Sequence, residues 1–216
     1  MNGRIQAEVV FFDAVGTLFH LRRPVGEIYL ATACKYGFSP SEEVRSAQVT
    51  ESFRRAFRKG GALAFPGHPA ARIPELEASW WRSVVTDTFA PFGGLSRLED
   101  LFGELFEMFR TGHEWVLDRD AETVLRGLRA RGMRTGLITN YDSRVRDVLA
   151  SLGIDGLIDS VTASTLAGFA KPERAIFRTA CESLGCRPEE AVHIGDDPEE
   201  DLLGAQAAGL SALLYD

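Results

Sequence analysis

Glu8-Val-Val-Phe-Phe-Asp13 is a short continuous apolar run that ends in a carboxylate, with Gly16, Thr17 and Leu18 turning the chain just beyond it. A run of this length and apolarity reads as a strand buried on both faces, the kind found inside parallel sheets. Downstream the pattern repeats with helices between strands. Thr135–Thr139, Leu157–Thr162, Ala191–Gly195 and Ser211–Tyr215 read as strands. Helices precede or separate them: one through Val124 and Leu128 stopping at Gly132, then Ser143–Leu152, Pro172–Leu184 and Glu199–Ala208. Strand–helix alternation of this kind implies a parallel sheet covered on both faces.

Between the first strand and the others the rhythm differs. From about Pro24 to Gly112 the spacing is helical. One helix runs from Pro24 toward Gly37, and a second opens at Ser39-Pro40-Ser41-Glu42-Glu43 and closes at Gly60-Gly61. A third spans Glu75–Phe89, and a fourth is marked by Leu98, Leu101, Leu105 and Met108. A single strand cannot form a domain, so the helical block is expected as an insert. The expected architecture is α/β: a three-layer, Rossmann-like parallel core from residues 1–19 and 115–216, carrying an all-helical cap from residues 20–114.

The polar punctuation falls at the carboxyl ends of the strands, where parallel sheets bind ligands. Asp13 ends the first strand, Thr139-Asn140 the second, and Asp196-Asp197 follows Gly195, while Lys171 opens the helix before that strand. A carboxylate can attack phosphorus or carbon covalently. Two carboxylates at one spot repel unless a cation lies between them, and oxygen ligands with room for water suit Mg²⁺. Lys171 and the Thr139 hydroxyl suit oxyanions or phosphate oxygens, and Gly16 would let backbone N–H groups come close.

Asp13-Ala-Val-Gly-Thr-Leu18, Thr139-Asn140, Lys171-Pro172 and Gly195-Asp-Asp-Pro-Glu-Glu-Asp201 resemble, in order, the four motifs of the haloacid dehalogenase-like superfamily. The helical insert sits where subfamily I of that family carries its C1 cap. Leu21-Arg-Arg-Pro24, Gly26-Glu27, Tyr29 and Trp80-Trp81 further resemble its REG-2-like branch. The resemblance implies a hydrolase in which Asp13 is the nucleophile and Thr139 and Lys171 hold the transferred group. Thr17 and Asn140 would touch the substrate or its phosphate. Asp13, Asp196 and the backbone carbonyl of Val15 would ligate Mg²⁺, with Asp197 or Asp201 ordering that shell.

One position departs from the pattern. Phosphatases of the family carry a second aspartate two residues after the nucleophile, and here Val15 stands there. Acid–base catalysis is worth about 10²–10⁴ in rate. A sugar alkoxide would feel that loss fully, an acyl or aryl leaving group less, and a carbon–halogen bond not at all. The family's dehalogenases also lack that aspartate, but they use no metal and lack the acidic fourth motif, which Asp196, Asp197 and Asp201 supply here. Phosphonoacetaldehyde hydrolases have Ala there and recruit a cap lysine; Lys35 and Lys59 read instead as surface lysines. The favoured expectation is a Mg²⁺-dependent hydrolase of a small phosphorylated compound through an aspartyl-phosphate on Asp13. A binding or regulatory protein that lost efficient turnover, and a metal-independent dehalogenase-type hydrolase, stay open beside it.

The remaining signals are plain. The 216 residues are 45% hydrophobic and carry a net charge of −7, with basic residues spread along the chain. That disfavours nucleic acid and anionic membranes. No apolar run reaches the length of a membrane span, and no secretory signal is visible. Three scattered cysteines give neither a disulfide framework nor a zinc spacing, so the expected location is the cytoplasm. His193, inside an apolar strand, reads as a satisfied core histidine, Trp80-Trp81 as cap core with one face turned inward, and Arg22, Arg23 and His20 as hinge residues. The substrate and the oligomeric state are not encoded in any readable motif.

Overall fold

The computed structural model describes residues 7–41 and 44–216. Glu42 and Glu43, used above to open the second helix, lie outside them, as do residues 1–6. The first strand, β1, spans Val9–Phe12, and all four residues are buried. A short strand β2 (Phe19–Leu21) leads into the helical block. There α1 (Val25–Lys35), α2 (Ser46–Gly60), α3 (Ile73–Phe89) and α4 (Leu98–Met108) follow one another. The chain returns through β3 (Trp115–Leu117) to α5 (Ala121–Ala130), β4 (Arg134–Thr139), α6 (Val145–Ser151), β5 (Ser160–Ala163) and α7 (Ser164–Ala167). It closes with α8 (Arg174–Ser183), β6 (Ala191–Gly195), a π-helical segment over Pro198–Leu203, α9 (Gly204–Ala208) and β7 (Ser211–Leu214).

The five-stranded sheet has the order β5-β4-β1-β6-β7 and is parallel throughout. The Asp13 strand is therefore central, between the strands ending at Thr139 and Gly195, as the family resemblance implies. Because side chains alternate across a strand, β1 feeds both cores. Val10 and Phe12 pack with Leu125 of α5 and with Val145, Val148 and Leu149 of α6. Val9 and Phe11 pack on the opposite face with Ile176, Phe177 and Ala180 of α8 and Ala205 and Ala208 of α9. This is why the run carries no polar residue before Asp13. Burying each such side chain contributes roughly 1.5–3 kcal/mol.

The helical insert has a core of its own, from Ile28, Tyr29 and Ala33 of α1, Val49 of α2, Val85 and Phe89 of α3, and Leu101 and Leu105 of α4. β2 and β3 pair antiparallel, Phe19 with Leu117 and Leu21 with Trp115, so the two chain crossings are tied into one ribbon. The sequence reading has no strand there, because three residues are too few to set a period. It also starts the second helix too early: α2 begins at Ser46, where the Gln48 side chain accepts a hydrogen bond from the Arg45 backbone N–H at 2.7 Å. The segment read as one helix over Glu199–Ala208 is π-helical to Leu203 and α-helical only from Gly204.

Polar contacts fasten the insert to the carboxyl end of the sheet. The buried Glu77 carboxylate of α3 accepts from the Ser143 backbone N–H (2.9 Å), the Ser143 hydroxyl (2.6 Å) and the Thr165 hydroxyl (2.5 Å). The Trp81 indole N–H donates to Asp142 Oδ2 at 2.5 Å, and Arg144 Nη1 donates to the Phe106 carbonyl at 2.7 Å.

Phe11→Ala removes a fully buried ring that lies against Gly136 of the neighbouring strand. It is expected to cost about 3–5 kcal/mol, read as a lower urea midpoint. A loss under about 1 kcal/mol would contradict the two-faced packing of β1.

Candidate active site

Asp13 follows the last residue of β1, and its backbone N–H donates to the Ile194 carbonyl at 2.8 Å, which fixes it beside the end of β6. Its buried carboxylate faces the Lys171 ammonium, with Nζ 2.6 Å from Asp13 Oδ1 and 2.5 Å from Asp201 Oδ1. All three side chains are at most 8% exposed. Burial alone disfavours the ammonium, but the two carboxylates outweigh it and hold Lys171 above the ordinary lysine range. Burial would likewise raise Asp201. The His193 hydrogen bond and the Lys171 charge win instead and hold it well below the usual carboxylate range.

Asp201 is spoken for on both oxygens. Besides Lys171, Oδ1 meets His193 Nε2 at 2.8 Å, and Oδ2 accepts from the Asp197 backbone N–H at 3.1 Å. Gly195 makes this possible, since a Cβ there would stand 2.2 Å from the Asp201 Cγ. Burial keeps His193 below its ordinary pKa, so the ring is neutral. Its Nδ1 is buried with no hydrogen-bond partner. The reading of a satisfied core histidine is thus half right: one nitrogen braces Asp201 and the other is unpaired. The surrounding apolar strand hid this, because the partner lies eight residues away, within the π-helical segment.

Asp196 sits opposite Asp13, more open to solvent. Gly16, with φ of +97°, allows this approach: a Cβ there would come within 2.4 Å of Asp196 Oδ2. The Gly16 N–H is bonded to the Phe19 carbonyl at 2.9 Å, so the glycine serves the carboxylate's approach rather than presenting its N–H to a ligand. Burial and the neighbouring Asp13 charge both push the Asp196 carboxyl up.

Among the described residues, Asp13, Asp196 and Asp201 each offer a carboxylate oxygen within 4.8 Å of the others. Since Asp201 is committed to Lys171 and His193, the pair facing each other is Asp13 and Asp196. Two hard oxygen donors with unbalanced negative charge, beside an open cleft, fit a hard divalent cation.

The other sequence-derived residues divide. Thr139 and Val15 line a cleft of about 500 Å³ together with Asp13, Lys171 and Asp196. Thr17 is buried, and its hydroxyl lies 3.4 Å from Asp196 Oδ1; it supports that carboxylate. Asn140 borders the cleft, but its amide is occupied: Nδ2 donates to the Lys171 carbonyl (3.0 Å) and Glu200 (2.8 Å), and Oδ1 accepts from the Lys171 N–H (2.7 Å). It holds the Lys171 loop in place. Asp197 caps the π-helical segment, accepting from the Glu199 and Glu200 N–H groups at 2.8 Å each.

Lys35 and Lys59 pair on the surface with Glu104 (2.6 Å) and Asp87 (2.8 Å). Arg22 binds the His113 and Trp115 carbonyls and Arg23 the Glu114 carboxylate, so both tie the ribbon ends together. Trp80 donates to the Gly60 carbonyl at 3.0 Å and stands edge-on to Trp81, whose inner face borders a second cavity.

Comparison with known proteins gives one answer. A family model described as haloacid dehalogenase-like hydrolase matches residues 7–209. The chain is 33% identical over 216 residues to haloacid dehalogenase-like hydrolase domain-containing protein 3 of Mus musculus, covering 99% of this chain and 84% of that relative. Of solved structures, the L-2-haloacid dehalogenase from Xanthobacter autotrophicus is similar with a TM-score of 0.72 at 20% identity, covering 97% of this chain and 77% of that one. The HAD phosphatase from Thermococcus onnurineus is similar with a TM-score of 0.64 at 23% identity, covering 96% and 86%. At these identities the two structures speak for the fold alone. No helix among the described residues is long and apolar enough to cross a membrane.

Lys171→Met would leave two buried carboxylates without their cation. It is expected to cost about 3–5 kcal/mol of stability, measured by urea denaturation. Adding Asp201→Asn should recover part of the loss; no recovery would contradict charge imbalance as its cause.

Proposed function

The chain belongs to the haloacid dehalogenase-like hydrolases, and from that premise we propose that it is a Mg²⁺-dependent phosphatase acting through an aspartyl-phosphate on Asp13. The observation that carries this reading is the unequal treatment of the Asp13 carboxylate. Lys171 fixes Oδ1 at 2.6 Å, while Asp196 stands opposite as a second acid with no ion-pair partner among the described residues.

Lys171 holds the Asp13 carboxylate in place and orients it as the nucleophile. An Asp13 oxygen attacks phosphorus, and the bond to the leaving oxygen breaks with its electron pair. Water then attacks the same phosphorus and returns the electrons to Asp13. Lys171 and the Thr139 hydroxyl face the transferred oxyanion. Asp13, Asp196 and the Val15 carbonyl would hold Mg²⁺, with Asp201 and Asp197 ordering the loop behind them. When bound, such an ion would offset the negative charge of the carboxylates and the phosphoryl group. Residues 20–114 would act as the cap over a core of residues 1–19 and 115–216, excluding water when closed.

Val15 has no proton to give or take. Good leaving groups are therefore favoured, and slow turnover in a binding or regulatory role is the second reading that this residue supports. Phosphate release from acetyl phosphate with and without Mg²⁺ separates the two. Asp13→Asn is expected to abolish Mg²⁺-dependent release; the absence of release from any acyl or aryl phosphate would sink the enzyme reading. Halide release from a 2-haloacid without metal would instead support dehalogenase chemistry.

Val15→Asp is expected to raise turnover of a sugar phosphate by about tenfold or more and to change acetyl phosphate turnover little. An unchanged sugar phosphate rate would show that no missing proton limits the reaction.

A further inference from the structure

We infer that the substrate of this site carries an apolar aryl leaving group, about the size of two fused rings, which lodges between the helical insert and the sheet. The inference rests on the phosphatase reading and narrows it to a substrate class.

Beside the polar cleft lies a second cavity of about 290 Å³, walled by Tyr29, Phe53, Trp81, Val85, Phe106 and Trp115. A cavity of about 150 Å³ accommodates benzene, so this one has room for a bicyclic body. The charged and amide groups on its wall are already paired. Arg144 is held by both Asp142 oxygens and the Phe106 carbonyl, and Asn140 is spent on the Lys171 loop. Burial pushes the Tyr29 and Tyr141 hydroxyls well above their ordinary pKa, so both stay neutral. A sugar or other polyol placed here would lose its water without fixed charged partners to replace it. An aromatic body would gain by leaving water.

The two cavities share a wall made by Val15, Phe57, Asn140 and Tyr141. Val15 is apolar yet 38% exposed, because it borders both spaces. A group attached to phosphorus at Asp13 and extending past Val15 enters the apolar cavity. Chemistry and shape then agree at one residue. Val15 supplies no proton, so the leaving oxygen must depart as an anion, and an aryloxide does so far more readily than an alkoxide.

The reaction balances without a co-reactant. Asp13 attacks phosphorus, and the phosphorus–oxygen bond to the ring breaks, its electron pair leaving on the aryloxide. Water then displaces Asp13 from phosphorus. One of its protons stays on the phosphate and the other neutralises the aryloxide.

The test pairs turnover with binding. With Mg²⁺, kcat/KM for 1-naphthyl phosphate is expected to exceed that for phenyl phosphate by about tenfold or more. By calorimetry, 1-naphthol alone, without Mg²⁺, is expected to bind the full chain. Val25→Phe, which places a ring in the cavity from its half-buried wall, should abolish naphthol binding and remove the preference. Its urea midpoint reports whether it folds, and the wild-type naphthol titration decides the binding question without it. Turnover of acetyl phosphate with no naphthyl preference and no naphthol binding would overturn this inference and leave the phosphatase reading standing. Naphthol binding without turnover of any phosphate would overturn both.

Discussion

A lysine ammonium buried between two carboxylates fixes the geometry of the whole site. Taking charges out of water costs several kcal/mol per ion, and Lys171, Asp13 and Asp201 share that cost by contacts of 2.6 and 2.5 Å. The arrangement requires three chain segments far apart in sequence to end at the same rim. A parallel sheet with β1 at its centre meets that requirement, since β4 and β6 flank β1 and all three end on one side. Asn140, at the end of β4, then pins the backbone of Lys171, and His193, within β6, braces Asp201 from behind. Fold and site are thus one structure: the apolar faces of β1 hold the helices, and its last residue hands the chain to the ion triad.

What the triad leaves over gives the site its chemistry. One Asp13 oxygen is committed, and Asp196 is brought close only because Gly16 has no side chain. The cleft is consequently anionic on one side and cationic at Lys171, a setting that suits a metal and an oxyanion together. Val15 turns the adjoining wall apolar. The helical insert continues that wall with aromatic rings from α1, α2, α3 and α4.

The polar residues that follow the strands ending at Phe12, Thr139 and Gly195 marked a candidate rim in the sequence, while the sheet order that brings Asp13, Lys171 and Asp196 together came only with the family resemblance. The partners of those residues were not legible. Thr17 and Asn140 have the chemistry of phosphate ligands, and only the fold shows that Asp196 and the Lys171 backbone claim them. His193 is masked by the apolar residues its strand requires. Glu77 reads as one more acid on an amphipathic helix, yet it is buried against Ser143 and Thr165, whose hydroxyls lie in the other layer. The β2–β3 ribbon is too short to show a period. For Thr17, Asn140, His193 and Glu77 long-range pairing fixes the role.

The central claim is that Asp13 and Asp196 face each other as a pair that needs a cation. Calorimetric titration of Mg²⁺ into the protein and into its Asp196→Asn variant tests it directly. The account predicts one binding event in the native chain that disappears in the variant. No binding to the native chain, or equal binding to both, would contradict it.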